Sequence, residues 1–137
     1  MKVEEIMNHK VEAIAPNDTI KEAARKMHDL HIGALTVMDG DELVGILTDR
    51  DICCKVTAMG RDAVMTRVRE IMTKDVITCY ADQDIGEAAD LMMSNHIRRL
   101  AVTSRGNSVT GFLSVDDIAH TSYDLASNIL ESSAPIH

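Results

Sequence analysis

Two seven-residue segments carry the side chains best suited to chemistry: Gly45-Ile46-Leu47-Thr48-Asp49-Arg50-Asp51 and Gly111-Phe112-Leu113-Ser114-Val115-Asp116-Asp117. In each, an apolar stretch of strand type ends at a hydroxyl residue, with a carboxylate three positions later. A hydroxyl at a strand-to-helix junction can donate to a phosphate, and so can the unpaired amides of a first helical turn. An ionised carboxylate only accepts hydrogen bonds, which suits it to the adjacent hydroxyls of a ribose. The same spacing is also plain helix capping, in which Thr or Ser accepts from the amide of the residue three positions on. A lone instance favours capping. Two copies at matched positions favour nucleotide binding.

Other reactive residues fit less well into a site. His28 and His31 have the i,i+3 spacing of a helical pair, but no cysteine or carboxylate set completes a metal centre, so none is expected. Cys53 and Cys54 are adjacent on a helix, which predicts one in the core and one at the surface. With Cys79 they make an odd count without Cys-x-x-Cys, pointing to a reducing compartment rather than a disulfide framework. No nucleophile–base pair, P-loop or Gly-x-Gly-x-x-Gly is present, and no enzyme activity is expected. A net charge of −8 argues against a nucleic-acid backbone as partner while allowing a local cationic pocket. No run approaches the ~18 apolar residues of a membrane span, and the first residues lead into no secretory signal. A cytoplasmic protein is the expectation.

The elements that position the two segments are repeated as well. A shift of 65 residues places Val3, Glu5, Ile6, Met7 and Val11 on Val68, Glu70, Ile71, Met72 and Val76. It also places Ile20, Glu22, Ala23, Ala24 and Met27 on Ile85, Glu87, Ala88, Ala89 and Met92, and His31, Ile32, Leu35 and Val37 on His96, Ile97, Leu100 and Val102. One residue is inserted at Ser104-Arg105-Gly106-Asn107, and the register becomes 66 where the two chemical segments align. Each repeat reads as strand, helix, two strands, helix. Short strands are expected over 11–15 and 76–80. A helix follows each, opened by Thr19 with Glu22 or by Asp84 with Glu87 as capping boxes. Ile20, Ala23, Ala24, Met27 and Leu30 supply an apolar face at helical spacing. Strands over 34–38 and 43–47 flank the Asp39-Gly40-Asp41-Glu42 turn, a strong hairpin signal. A second helix is expected from Asp49 to the Gly60 cap, and from Val115 towards Leu130. The predicted division is repeat 1 over 1–60, a linker over 61–67, and repeat 2 with a C-terminal helix or tail over 68–137.

This pattern resembles a tandem pair of CBS (cystathionine β-synthase) domains, a Bateman module, from Val3 to Ile118. The Val-x-x-Ile-Met starts, Ile32-Gly33-Ala34-Leu35 and the paired Gly45 and Gly111 segments carry the likeness. The resemblance implies an α+β fold of two βαββα repeats about a pseudo-twofold axis, with two inter-repeat clefts. It implies a regulatory sensor of an adenosine-containing molecule (AMP, ADP, ATP or NAD) without a catalytic cofactor, a homodimer, and an effector protein that reads occupancy. Carried over by position, one site would use Thr48, Arg50 and Asp51 with Ile77, Thr78, Ile97, Arg98 and Arg99. The other would use Ser114 and Asp117 with Val11, Ile32, Gly33 and Ala34. The first is expected to bind more tightly, because two arginines would serve it while Asp116 burdens the second with negative charge. The proline common in the second strand of the family is absent, with Thr36 and Ala101 in its place. Two alternatives stay open: a structural or dimerisation module with vestigial clefts, and a thiol- or metal-dependent stress protein working through Cys53, Cys54 or Cys79.

Overall fold

The computed structural model describes residues 1–106 and 108–133. It contains two compact units, and each has its own sheet and its own apolar core. One unit is the continuous stretch Glu12–Val76; the other joins Met1–Val11 to the chain from Ile77 onward.

In the continuous unit, β1 (Ala13–Ile14), α1 (Ile20–Leu30), β2 (Ala34–Asp39) and β3 (Glu42–Thr48) form a three-stranded sheet with β2 in the middle. β1 runs parallel to β2 and β3 runs antiparallel to it. Thr19 caps α1 by accepting from the Glu22 amide, and the Thr19 amide donates in return to the Glu22 carboxylate. Ile20, Ala23 and Met27 turn inwards against Leu35, Val37 and Leu47, whereas Leu30 is exposed at the helix end. The β2–β3 turn closes through Gly40 at φ +61°, a left-handed conformation open to glycine. After Thr48 the chain makes a short turn, α2 (Asp49–Asp51), and then a π-helical stretch over Ile52–Thr57. A single α-helix to Gly60 was expected; the helix stops winding at Thr57, and Gly60 follows at φ +67°.

The second unit repeats the plan with β4 (Thr78–Tyr80), α4 (Ile85–Asn95), β5 (Arg99–Thr103) and β6 (Val109–Ser114), β5 central. Here Asp84 caps α4 through the Gly86 amide. The Glu87 carboxylate does not accept the reciprocal bond expected from the Asp84 amide; it accepts from Gln83 Nε2 instead. Beyond β6 the predicted long helix is two: α5 (Val115–Ala119) and α6 (Tyr123–Ser132), restarted by a Ser122 cap on the Leu125 amide. The inserted turn is described as far as Gly106, and Asn107 lies outside the described residues. His31 and His96 close α1 and α4 in the same left-handed conformation, φ 55° in both, so the matched histidines share a backbone task.

The two units do not follow the sequence repeats. α3 (Val68–Ile71), drawn from the start of the second repeat, belongs to the continuous unit, where Val68 and Ile71 are buried. Thr73 and Ile46 exchange both backbone hydrogen bonds, 2.9 and 3.0 Å, along the outer edge of β3. Residues 61–67 are fastened here too: Ile20 and Lys21 donate to the Thr66 and Ala63 carbonyls, and Arg61 pairs with Glu70 at 2.8 Å. The Arg67 amide, and then the Arg61 guanidinium, hold the Glu70 carboxyl below its usual range. In the other unit the N-terminal residues do the same work. Val3 and Met7 are buried, and Asn8 and Phe112 exchange bonds of 2.8 and 2.9 Å along the edge of β6.

Those edge clamps account for the paired glycines. A Cβ on Gly45 would lie 2.7 Å from Met72 Sδ and 2.9 Å from the Thr73 carbonyl oxygen. On Gly111 it would lie 2.7 Å from Met7 Sδ and 2.8 Å from the Asn8 carbonyl oxygen. Only glycine lets the clamping segment come this close.

Candidate functional site

In each unit the hydroxyl residue ends the last strand of the sheet and the carboxylate sits three residues on. Thr48 Oγ1 accepts from the Asp51 amide at 3.1 Å, and Asp51 Oδ2 accepts from the Thr48 amide at 3.0 Å. Ser114 and Asp117 make the same reciprocal pair at 3.2 and 2.9 Å. Capping is therefore real at both places. It uses one carboxylate oxygen and a lone pair of the hydroxyl, leaving the hydroxyl proton and the other carboxylate oxygen for further partners.

The register of the sheets decides which residues adjoin each corner. Ala34 pairs with Thr48, and the Asp49 amide donates to the Gly33 carbonyl at 2.9 Å. Arg99 pairs with Ser114, and the Val115 amide donates to the Arg98 carbonyl at 2.9 Å. Gly33 and Ala34 thus flank Thr48 within one unit, while Arg98 and Arg99 flank Ser114 within the other. Ile32, Ile77, Ile97 and Val11 are half-buried, and Thr78, Arg98 and Arg99 are exposed.

These bonds overturn one expectation about phosphate. At the first corner the Asp49 amide is taken by Gly33, the Arg50 amide by Asp49 Oδ1 at 2.8 Å, and the Asp51 amide by Thr48. All three amides of that turn are committed within the protein and cannot cradle an anion. The groups that remain for a phosphate are the Thr48 hydroxyl and the exposed Arg50 side chain.

The two carboxylates differ in their outer oxygens. Asp51 Oδ1 pairs with Lys55 at 3.1 Å, and Lys55 also donates to the Ile71 carbonyl at 3.2 Å. Position 121, which matches Lys55 in the second repeat, is Thr121. Among the described residues Asp117 has no ion-pair partner. Sequence reasoning missed Lys55, although its i,i+4 distance from Asp51 was a readable signal.

The thiols do not form a site. Cys53 and Cys54 are both exposed, where one was expected inside, because Val56 takes the buried position on that stretch. Cys79 is buried in β4, and burial pushes its thiol up to about 11, so it is neutral and a poor nucleophile near neutrality. Among the described residues no three His, Cys, Asp or Glu side chains converge to hold a metal. No described helix is long and apolar enough to cross a membrane.

With this geometry in place, the family model for the CBS domain matches the chain twice, over residues 3–56 and 68–124. The chain belongs to the CBS domain family. It is 37% identical over 117 residues to the CBS domain-containing protein YhcV of Bacillus subtilis, covering 85% of this chain and 82% of that protein. Among solved structures it resembles a conserved CBS domain protein of unknown function from Thermoplasma acidophilum, with TM-score 0.88 and 27% identity over 96% of this chain and 75% of that one. It also resembles the CBS domain pair of protein MJ0100, solved in complex with 5′-methylthioadenosine and S-adenosyl-L-methionine. There the TM-score is 0.79 and the identity 29%, over 88% of this chain and 94% of that one. Two CBS repeats, each a βαββ core with a three-stranded sheet and flanking helices, are thus the architecture of this protein.

Proposed function

We propose that this CBS pair is a regulatory module without catalytic activity, which binds an adenosine-containing small molecule and reports its occupancy to an effector protein. Thr48 and Asp51 form one binding corner, and Ser114 and Asp117 the other. The observation that carries the reading is the division of labour at each aspartate: one oxygen caps the helix, and the cap leaves the second to other partners, Lys55 at Asp51 and no ion-pair partner among the described residues at Asp117. The related MJ0100 pair was solved with two adenosine compounds, which supports the same ligand class here. The residues assigned by resemblance, Ile77, Thr78, Ile97, Arg98 and Arg99 together with Val11, Ile32, Gly33 and Ala34, are proposed as further ligand contacts. AMP, ADP, ATP, NAD and S-adenosylmethionine are the candidates, and the working state is a homodimer in the cytoplasm.

A ligand that binds only the folded chain stabilises it by mass action, about 2.7 kcal/mol at a hundred times its Kd. Thermal unfolding with millimolar adenosine compounds should therefore show a raised Tm, with guanosine and cytidine nucleotides giving less. Equal or absent shifts across the panel would replace the sensor reading with that of a structural module.

A further inference from the structure

Lys55 is unusual in touching both the motif carboxylate and a distant backbone group. Its ammonium lies 3.1 Å from Asp51 Oδ1 and 3.2 Å from the Ile71 carbonyl oxygen. Asp51 is largely buried, its side chain 13% exposed, while Lys55 is about half exposed. Ile71 is the last residue of the single-turn α3, so Lys55 meets one of the carbonyls at its end. Immediately beyond, Met72 lies over Gly45, and Thr73 is paired with Ile46 on the edge of β3. A single cation therefore ties the candidate ribose-binding carboxylate to the segment that clamps the sheet. The second repeat has no counterpart, since Thr121 stands at the matching position.

We propose that Lys55 is the positioning residue through which occupancy at the Thr48/Asp51 corner reaches the clamp at residues 71–73. This rests on the adenosine-binding reading above. A ribose hydroxyl and the Lys55 ammonium compete for the same outer oxygen of Asp51. Binding weakens the hold of Lys55 on the carboxylate, and with it the tether on the Ile71 carbonyl. Coupling of this kind needs a contact that differs between the two states, and the Asp51–Lys55 pair is that contact. The Ser114/Asp117 corner lacks the tether and should bind without moving its own clamp at Met7 and Asn8.

The test is amide hydrogen exchange at Met72 and Thr73 in the full chain, for wild type, Lys55→Met and Lys55→Arg, with and without adenosine. Adenosine is the probe because it carries no phosphate that Lys55 could bind directly. Without ligand, Lys55→Met should exchange faster than wild type at these two amides, and Lys55→Arg should restore protection. Adenosine should speed exchange there in wild type and leave Lys55→Met unchanged. Adenosine affinity at this corner should rise about two- to fivefold in Lys55→Met, the range expected for removing a partly exposed ion pair. If Lys55→Met matches wild type without ligand, the tether is overturned. If the ligand response at Met72 and Thr73 survives in Lys55→Met, transmission through Lys55 is overturned. If adenosine binds neither protein, the ligand reading fails and the transmission proposal with it, while the ligand-free exchange still reports separately whether the tether exists.

Discussion

Asp51 and Asp117 each cap a helix with one oxygen, and the proposed ribose contact would use the other, so a substitution can separate the two roles. In Asp51→Ala both are lost. Losing the proposed charge-assisted bonds to ribose hydroxyls should cost about 1.5–3 kcal/mol of binding, roughly a ten- to hundredfold weaker Kd. Losing the Thr48 amide's bond to Oδ2, the reciprocal half of the capping box, costs the ligand-free fold about 0.5–2 kcal/mol, the range for a broken cap. Asp51→Asn keeps a carbonyl oxygen for the Thr48 amide, so chemical denaturation should show most of the stability restored while calorimetry shows affinity still weakened. If both variants lose stability and neither loses affinity, Asp51 is a cap alone. The three-residue spacing of Thr48 and Asp51 makes this pair legible in the sequence itself. The fate of the amides in that turn is not legible there, because the Asp49 bond to Gly33 depends on the β2–β3 register, a tertiary fact.

At the scale of elements, edge clamps cover the sheets where the strands expected from apolar patterning fall short. β1 has two residues and β4 three, shorter than the runs over 11–15 and 76–80 suggested. The outer strands β3 and β6 would present open edges, and residues 71–73 and 7–8 cover them through reciprocal backbone bonds. Gly45→Ala would push a methyl group against Met72 Sδ and the Thr73 carbonyl oxygen. The methionine can shift, but the carbonyl is held by Ile46, so the β3 edge must open. We expect a loss of about 1–3 kcal/mol, typical of overpacking, measured as a lower denaturation midpoint with an unchanged slope. Gly111→Ala should behave alike against Asn8. A neutral result at both glycines would show that the clamps yield without cost. The repeated Val-x-x-Ile-Met starts announce equivalent segments in the sequence. Which sheet each segment covers is hidden, because identical partners leave the pairing to chain geometry rather than to residue type.

For the whole molecule, charge and exposed apolar surface pull in opposite directions. Each chain carries −8, so two copies repel one another, and the repulsion reaches about 30 Å at 10 mM salt but only about 8 Å at 150 mM. Met59, Val64, Met65 and Tyr123 are all exposed, and apolar side chains of this size favour association when covered. The proposed homodimer should therefore be held by apolar burial against a screened repulsion, and its affinity should increase with ionic strength. Light scattering at micromolar chain concentration in 150 mM salt should give twice the 15.0 kDa chain mass, with a smaller dimer fraction at 10 mM. A mass near the single chain at both salt levels would remove the dimer from the functional reading. A dimer that weakens as salt is added would point to opposite charges paired across the interface, contrary to what the net negative charge implies.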